Sequence, residues 1–222
     1  MSRVPFAARY LDPGARMGEI LFGLIMTLTF TLGAGLIVQE EGREGARQLL
    51  IATIGCNIAW GIIDGVFYIL GQMFERGRLR RVAVSVKAAR SDAEARAHVA
   101  GELDEVLERV TTGPERDTLY AAIASNLRGR EVESNRLRKA DVMGGAASFW
   151  LVFFSSLPAA APFLFIDDPW IALRVSNALL LALLFYVGYR WSKLTLAKPW
   201  LAGLVFLFAG TLLVVAAIAL GG

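Results

Sequence analysis

Apolar positions along this chain gather into five long runs, two before and three after a charged middle third. The runs cover residues 17–38, 49–73, 144–166, 170–190 and 199–220. A bilayer core is about 30 Å thick and takes about 20 residues of helix to cross. Each run meets that length. Charges inside them are few: Glu19 in the first, Asp64 in the second, Arg174 and Arg190 in the fourth, and none in the third and fifth. The pattern predicts an all-α polytopic membrane protein with five transmembrane helices. The first run is too long for the apolar part of a cleaved signal, and a second follows closely.

The polar stretch between the second and third runs sets the domain organisation. Residues 1–73 hold an N-terminal arm and helices one and two. Residues 74–142 form a helical insert, and 143–222 carry helices three to five. Within the insert, Ala95, Val99, Leu103, Val106 and Val110 recur at three- and four-residue spacing, which predicts a helix over 91–110. Ser91 or Asp92 caps its start, and Thr111-Thr112-Gly113-Pro114 ends it. A second helix is expected from Glu115 to about Lys139, with Leu119, Ile123 and Leu127 on one face. Asp12-Pro13-Gly14 reads as a turn, and a loop of about ten residues joins the first two spans. Pro158 and Pro162 each free a carbonyl in the third span and invite a kink there.

Composition sharpens this picture. The chain is 55% hydrophobic with a mean hydropathy of +0.51, against about 45–50% apolar in soluble domains. Net charge is only +3, but its placement is informative. Arg3, Arg9 and Arg16 precede span one. Arg76, Arg78, Arg80 and Arg81 follow span two, and Arg190, Lys193 and Lys198 follow span four. With five spans these groups share one side, and basic residues accumulate on the cytoplasmic side of short loops. The N-terminus and the insert are therefore expected in the cytoplasm and the C-terminus outside. Topology and anionic lipid account for the arginines, so no nucleic-acid partner is expected. Lysine is rare beside arginine, which points to a GC-rich bacterial genome and a bacterial cell (inner) membrane. The single cysteine, Cys56, excludes an intrachain disulfide.

Ionisable groups inside a span are costly, by about 2.5–3.5 kcal/mol for Asp at the helix centre. Asp64, flanked by Gly61 and Gly65, is therefore the first candidate for an ion or proton site; the alternative is a buried acid bonded to a neighbouring helix. Glu19 either joins it or reaches the interface. Met26 follows Glu19 by two helical turns, and Asn57 precedes Asp64 by two. By this count Met26 and Asp64 lie at similar depth. An antiparallel helix pair would offer Glu19, Met26, Asn57 and Asp64 along one seam. Carboxylate and carbonyl oxygens suit Mn²⁺ and Fe²⁺, and a thioether adds softness. Core packing explains Met26 equally well, and interhelical hydrogen bonding Asn57. In the insert, Glu94, His98 and Glu102 recur at four-residue spacing with Glu105 and Glu108 beyond, forming either a second metal site or a solvated face. No nucleophile motif, phosphate-binding glycine loop or paired-cysteine motif is present, so an enzyme is not expected.

Three stretches resemble one known family. Glu19-Ile-Leu-Phe-Gly-Leu-Ile-Met26 is similar to an acid-x-x-Phe-Gly opening. Gly145-Ala-Ala-Ser-Phe149, with Leu157-Pro158 and Pro162-Phe163, resembles an Ala-x-x-Ser-Phe…Pro-x-x-Pro span. Leu184-Phe-Tyr-Val-Gly188, with Lys193-Leu-Thr195 and Pro199, resembles a Leu-Phe-x-x-Gly…Lys-x-x-x-Thr…Pro stretch. In order and spacing they resemble the vacuolar iron transporter family. The resemblance implies five spans, a cytoplasmic N-terminus and insert, and a homodimer. The implied activity is export of Fe²⁺ or Mn²⁺ from the cytoplasm in exchange for protons, along a path between the first two helices of both subunits. Glu19 matches the family's first acid. Met26 stands where a second span-one acid is usual, and Asp64 and Trp60 stand where the family carries Glu and Met in span two. No resident cofactor is implied; metal ions and protons are the cargo. Two alternatives stay open at the level of sequence: a non-transporting membrane scaffold or sensor on the same fold, and a passive cation channel.

Overall fold

The computed structural model describes residues 5–33, 35–132 and 134–220, with the backbone alone at 36, 37 and 217. Arg3 of the basic arm and Ala34 of the expected first span lie outside the described residues. After a short 3-10 turn (Ala7–Arg9) come seven helices: α1 (Pro13–Gly33), α2 (Gly35–Ala88), α3 (Asp92–Leu107), α4 (Gly113–Gly129), α5 (Lys139–Phe165), α6 (Pro169–Thr195) and α7 (Pro199–Ala219). No strand occurs among the described residues. Five helices are long and apolar enough to cross a membrane: α1, α2 from Val38, α5, α6 and α7.

The chain divides into two compact units, Met1–Tyr68 with Lys139–Gly222, and Ile69–Arg138. The division falls inside α2 and at the first residue of α5, four to five residues before the boundaries expected at 73/74 and 142/143. Hydropathy marks where the apolar run ends, whereas the unit boundary marks where packing partners change.

Local chemistry explains several helix ends. Asp12-Pro13-Gly14 is a helix start, not a free turn. Asp12 Oδ1 accepts the amide hydrogens of Gly14 (2.8 Å) and Ala15 (3.0 Å), and Pro13 occupies a position whose N–H would have no partner. The loop expected between the first two spans is also largely helical. It bends once at Gly42 (φ 59, ψ −124), a conformation open to glycine, and Glu44 pairs with Arg47 one turn on (3.1 Å). Pro158 and Pro162 sit inside α5 without ending it.

In a bilayer the solvent is as apolar as the side chains, so helices associate by close packing and interhelical hydrogen bonds. Unit 1 follows that rule. Leu24 and Leu28 of α1 meet Ala159 of α5, Leu180, Leu184 and Val187 of α6 and Val214 of α7 in one buried cluster. Val38, Ala46 and Leu49 of α2 meet Leu173 of α6 in a second. Glycines set the tightest approaches. A Cβ at Gly65 of α2 would lie 2.8 Å from the carbonyl oxygen of Gly145 on α5, and one at Gly188 of α6 would lie 2.6 Å from the carbonyl oxygen of Ala202 on α7.

Unit 2 is a small helical assembly around Val86, Ala95, Val99, Tyr120 and Ala124. Ser91 caps α3 by accepting from the Glu94 amide (3.2 Å), and Thr112 with Glu115 forms a reciprocal capping box on α4. Helix α3 stops at Leu107, before Val110, and both Val106 inside it and Val110 beyond it are exposed. Helix α4 stops at Gly129, about ten residues before the expected end, and Arg130 after it is extended (φ −100, ψ 150). Tyr120 and Ala124 fill its core face; Leu119, expected there, is 40% exposed.

Substituting Gly65 by Ala drives a methyl group into α5 backbone, whereas Gly55 on the same helix faces open space. Gly65→Ala should destabilise the protein by about 1–3 kcal/mol, and Gly55→Ala should leave it unchanged or slightly firmer. Thermal melting in detergent checks this; equal melting would mean that the α2–α5 approach does not set stability.

Candidate functional site

Helices α1, α2 and α5 meet along a polar seam, and side-chain contacts fix its register. The Phe22 and Trp60 rings pack edge to face with centroids 5.5 Å apart. Asn57 Nδ2 donates to the Gly23 carbonyl (3.3 Å) and the Thr27 hydroxyl (3.1 Å) of α1, and to the Val152 carbonyl of α5 (3.3 Å). The pairs 22–60, 23–57 and 27–57 place α1 and α2 antiparallel. In this register Met26 lies level with Asn57, and Asp64 lies level with Glu19. The expectation that Met26 and Asp64 share a depth is therefore corrected. Counting residues from the ends of the apolar runs fixes no register between two helices; their side-chain contacts do.

Asn57 is fully buried and ties three helices together. Its amide NH₂ has two hydrogens for three acceptors, so its donor capacity is spent. Its Oδ1 is buried without a hydrogen-bond partner. The close approach needs glycine at 23: a Cβ there would collide with the Ser155 side chain and the Val152 carbonyl of α5.

Two turns along α2, Asp64 is half-buried, and its Oδ2 is buried without a hydrogen-bond partner. Glu19 is close enough for the two carboxylates to act on each other electrostatically. Glu19 Oε1 accepts a hydrogen bond from Ser148 of α5 (2.7 Å), whose side chain is fully buried. A third helix thus holds the first acid of the pair. Met26 is half-buried on α1. Of the four seam residues, Glu19 and Asp64 form an acid pair, Asn57 is a structural tie with one oxygen to spare, and Met26 lies two turns away.

Ser148 of α5 and Thr27 of α1 are the seam residues that the sequence reading misses. The available signal was the run of small residues on one α5 face: Gly144, Gly145, Ser148, Val152, Ser155 and Ala159 recur at helical spacing, and the five other than Val152 are Gly, Ala or Ser. Such a face marks a helix contact. It does not say which hydroxyl meets an acid.

The acid line of the insert has other duties. Glu94 Oε2 accepts from the Arg90 amide (2.8 Å), and Glu102 pairs with Arg78 (2.6 Å). His98 and Glu105 are exposed. Among the described residues no three of His, Cys, Asp and Glu come together as a metal-holding group. Four-residue spacing puts these side chains on one helix face, but a single straight face cannot wrap an ion.

No protein-family model matches the chain, and no curated protein sequence does either.

The seam amide Asn57 and the seam acid Asp64 should respond differently to isosteric change. Asn57→Asp sets a carboxylate against the Gly23 and Val152 carbonyls, and should destabilise by about 3 kcal/mol or more. Asp64→Asn removes a charge from an oxygen with no donor and should leave the melting temperature equal or higher. Melting curves of both variants in one detergent test this; a reversed order would show that Asp64 carries the structural bond.

Proposed function

We propose that this chain is a divalent transition-metal transporter of a bacterial inner membrane, moving Fe²⁺ or Mn²⁺ out of the cytoplasm in exchange for protons. The observation that carries the reading is the acid pair. Two carboxylates from different helices act on each other within a membrane-spanning bundle, and one has a buried oxygen with no hydrogen-bond donor. Placing such groups in a bilayer is costly, and they mark ion or proton pathways by default. Glu19 and Asp64 are the cation-binding and proton-exchanging groups. The spare Oδ1 of Asn57 and the thioether of Met26 tune which ion passes further along the seam. The resemblance to vacuolar iron transporters in spans one, three, four and five supports the same reading, as does the placement of basic residues, which favours a cytoplasmic N-terminus and insert and an outer C-terminus. A homodimer, with α1 and α2 of both subunits lining the path, belongs to this reading.

A carboxylate must release its proton to hold a metal, so metal binding and proton release are coupled by chemistry. Antiport follows if the same pair is reprotonated from the other side.

One observation favours a second reading, a non-transporting scaffold or sensor. The donors of Asn57 are fully committed, and Glu19 already has Ser148. A seam so satisfied would stay sealed.

Flux of Fe²⁺ and Mn²⁺ into liposomes carrying a trapped metal-sensitive dye separates these readings. Wild type should transport, and Asp64→Asn and Glu19→Gln should each lower the rate by at least about tenfold, the scale of one charge-assisted interaction. Folded protein that moves neither metal would favour the scaffold. Flux that stays flat over about two pH units and runs only down the metal gradient would favour a passive channel over antiport.

A further inference from the structure

Unit 2 contains a concavity of about 570 Å³ between the C-terminal part of α2 and the segment after α4. Arg76 and Arg80 line it from α2 and Arg130 lines it from the far side, with Glu131 the one carboxylate among the described lining residues. The arginines come from segments about fifty residues apart in sequence, so folding, not a local basic run, brings them together. Arg76 is held in place by donating from Nη2 to the Arg136 carbonyl (3.3 Å). Among the described residues, the side chains of Arg80 and Arg130 have neither an ion pair nor a hydrogen bond.

The rest of the wall is apolar. Leu79 is 58% exposed, and Leu127 and Val132 are half-buried beside it. A site for a small inorganic anion has no use for such a wall. On the same stretch of α2, Leu70 and Phe74 are exposed just before Arg76. The helix therefore passes from lipid-compatible to basic within about two turns.

The positive-inside tendency explains why arginines follow a span. It requires neither a concavity nor an apolar wall facing the guanidiniums. A ligand with a phosphate and a hydrophobic chain requires both: planar guanidinium forks match phosphate oxygens, and apolar side chains cover the first methylenes. Basic pockets next to membrane helices hold anionic head groups in this way.

The geometry points to a binding site for a phosphate-bearing anion in this concavity, with the anionic phospholipid of the surrounding membrane as the ligand whose chemistry fits the whole wall. Arg80 and Arg130 grip the phosphate, Arg76 orients it, and Leu79, Leu127 and Val132 take the start of the acyl chain. This assignment does not depend on whether the chain transports metal.

The test titrates purified full-length protein in detergent with short-chain phosphatidylglycerol, short-chain phosphatidylcholine and inorganic phosphate, following intrinsic fluorescence and melting temperature. Wild type should prefer phosphatidylglycerol over phosphatidylcholine. Arg80→Gln with Arg130→Gln should weaken phosphatidylglycerol binding by about twenty-five-fold, at about fivefold per arginine. Arg96→Gln with Arg109→Gln, matched in charge on the same unit, should leave it intact. If that pocket variant does not fold, Arg80→Lys with Arg130→Lys keeps the charge and removes the forks, and should still weaken binding several-fold. Inorganic phosphate binding as tightly as the lipid, with the same dependence on Arg80 and Arg130, would identify a soluble phosphate as the source. Equal losses in the pocket and control variants, or no loss in the pocket variant, would overturn the site.

Discussion

The amide of Asn57 is the interaction around which the membrane unit is organised. It is a fully buried polar group in a bundle whose surroundings are lipid, where an unsatisfied N–H costs several kcal/mol. Its donors are satisfied only when α1 presents the Gly23 carbonyl and the Thr27 hydroxyl while α5 presents the Val152 carbonyl. A one-residue slip of any of the three helices would strand those donors. Hydrophobic contact among leucines tolerates slippage much better. The hydrogen bonds therefore specify the register, and the glycines at 23, 61 and 65 make it sterically accessible.

That register determines the chemistry. With Asn57 fixed, Asp64 lies two turns along α2, level with Glu19, and Ser148 of α5 reaches Glu19. A structural tie and an acid pair thus share one seam with different roles. Both carry unpartnered buried oxygens, at Asn57 Oδ1 and Asp64 Oδ2. Under the proposed reading, these acceptors are the places along the seam where a cation or a proton would be held.

Unit 2 is built on a different principle. Helices α3 and α4 are secured by side-chain caps at Ser91 and Thr112 and by exposed pairs such as Arg128 with Asp92, and they enclose a small core around Val99 and Tyr120. Asp92, Glu94, Glu102 and Glu115 serve those caps and pairs. Its arginines at 80 and 130 are left over from that economy and face one concavity.

The sequence by itself determined the class of the protein. Five apolar runs of bilayer length, the helical period in the insert, the capping residues, and the acids at 19 and 64 were all legible, because each depends on local composition or on spacing along one helix. Helix ends were less so: Asp12-Pro13 looked like a turn, the loop before span two proved helical, and α4 stopped at Gly129. Local signals there compete, and small differences in capping decide between them. Only the tertiary structure decided the depth at which Asp64 meets Glu19, the part taken by Ser148, the structural duty of Asn57, and the dispersal of Glu94, His98, Glu102 and Glu105. The physical reason is that these facts depend on the relative shift of helices. A periodicity names the face of a helix that is buried. It carries no information on how far along its neighbour that face comes to rest until buried polar groups, each needing a partner, select one position.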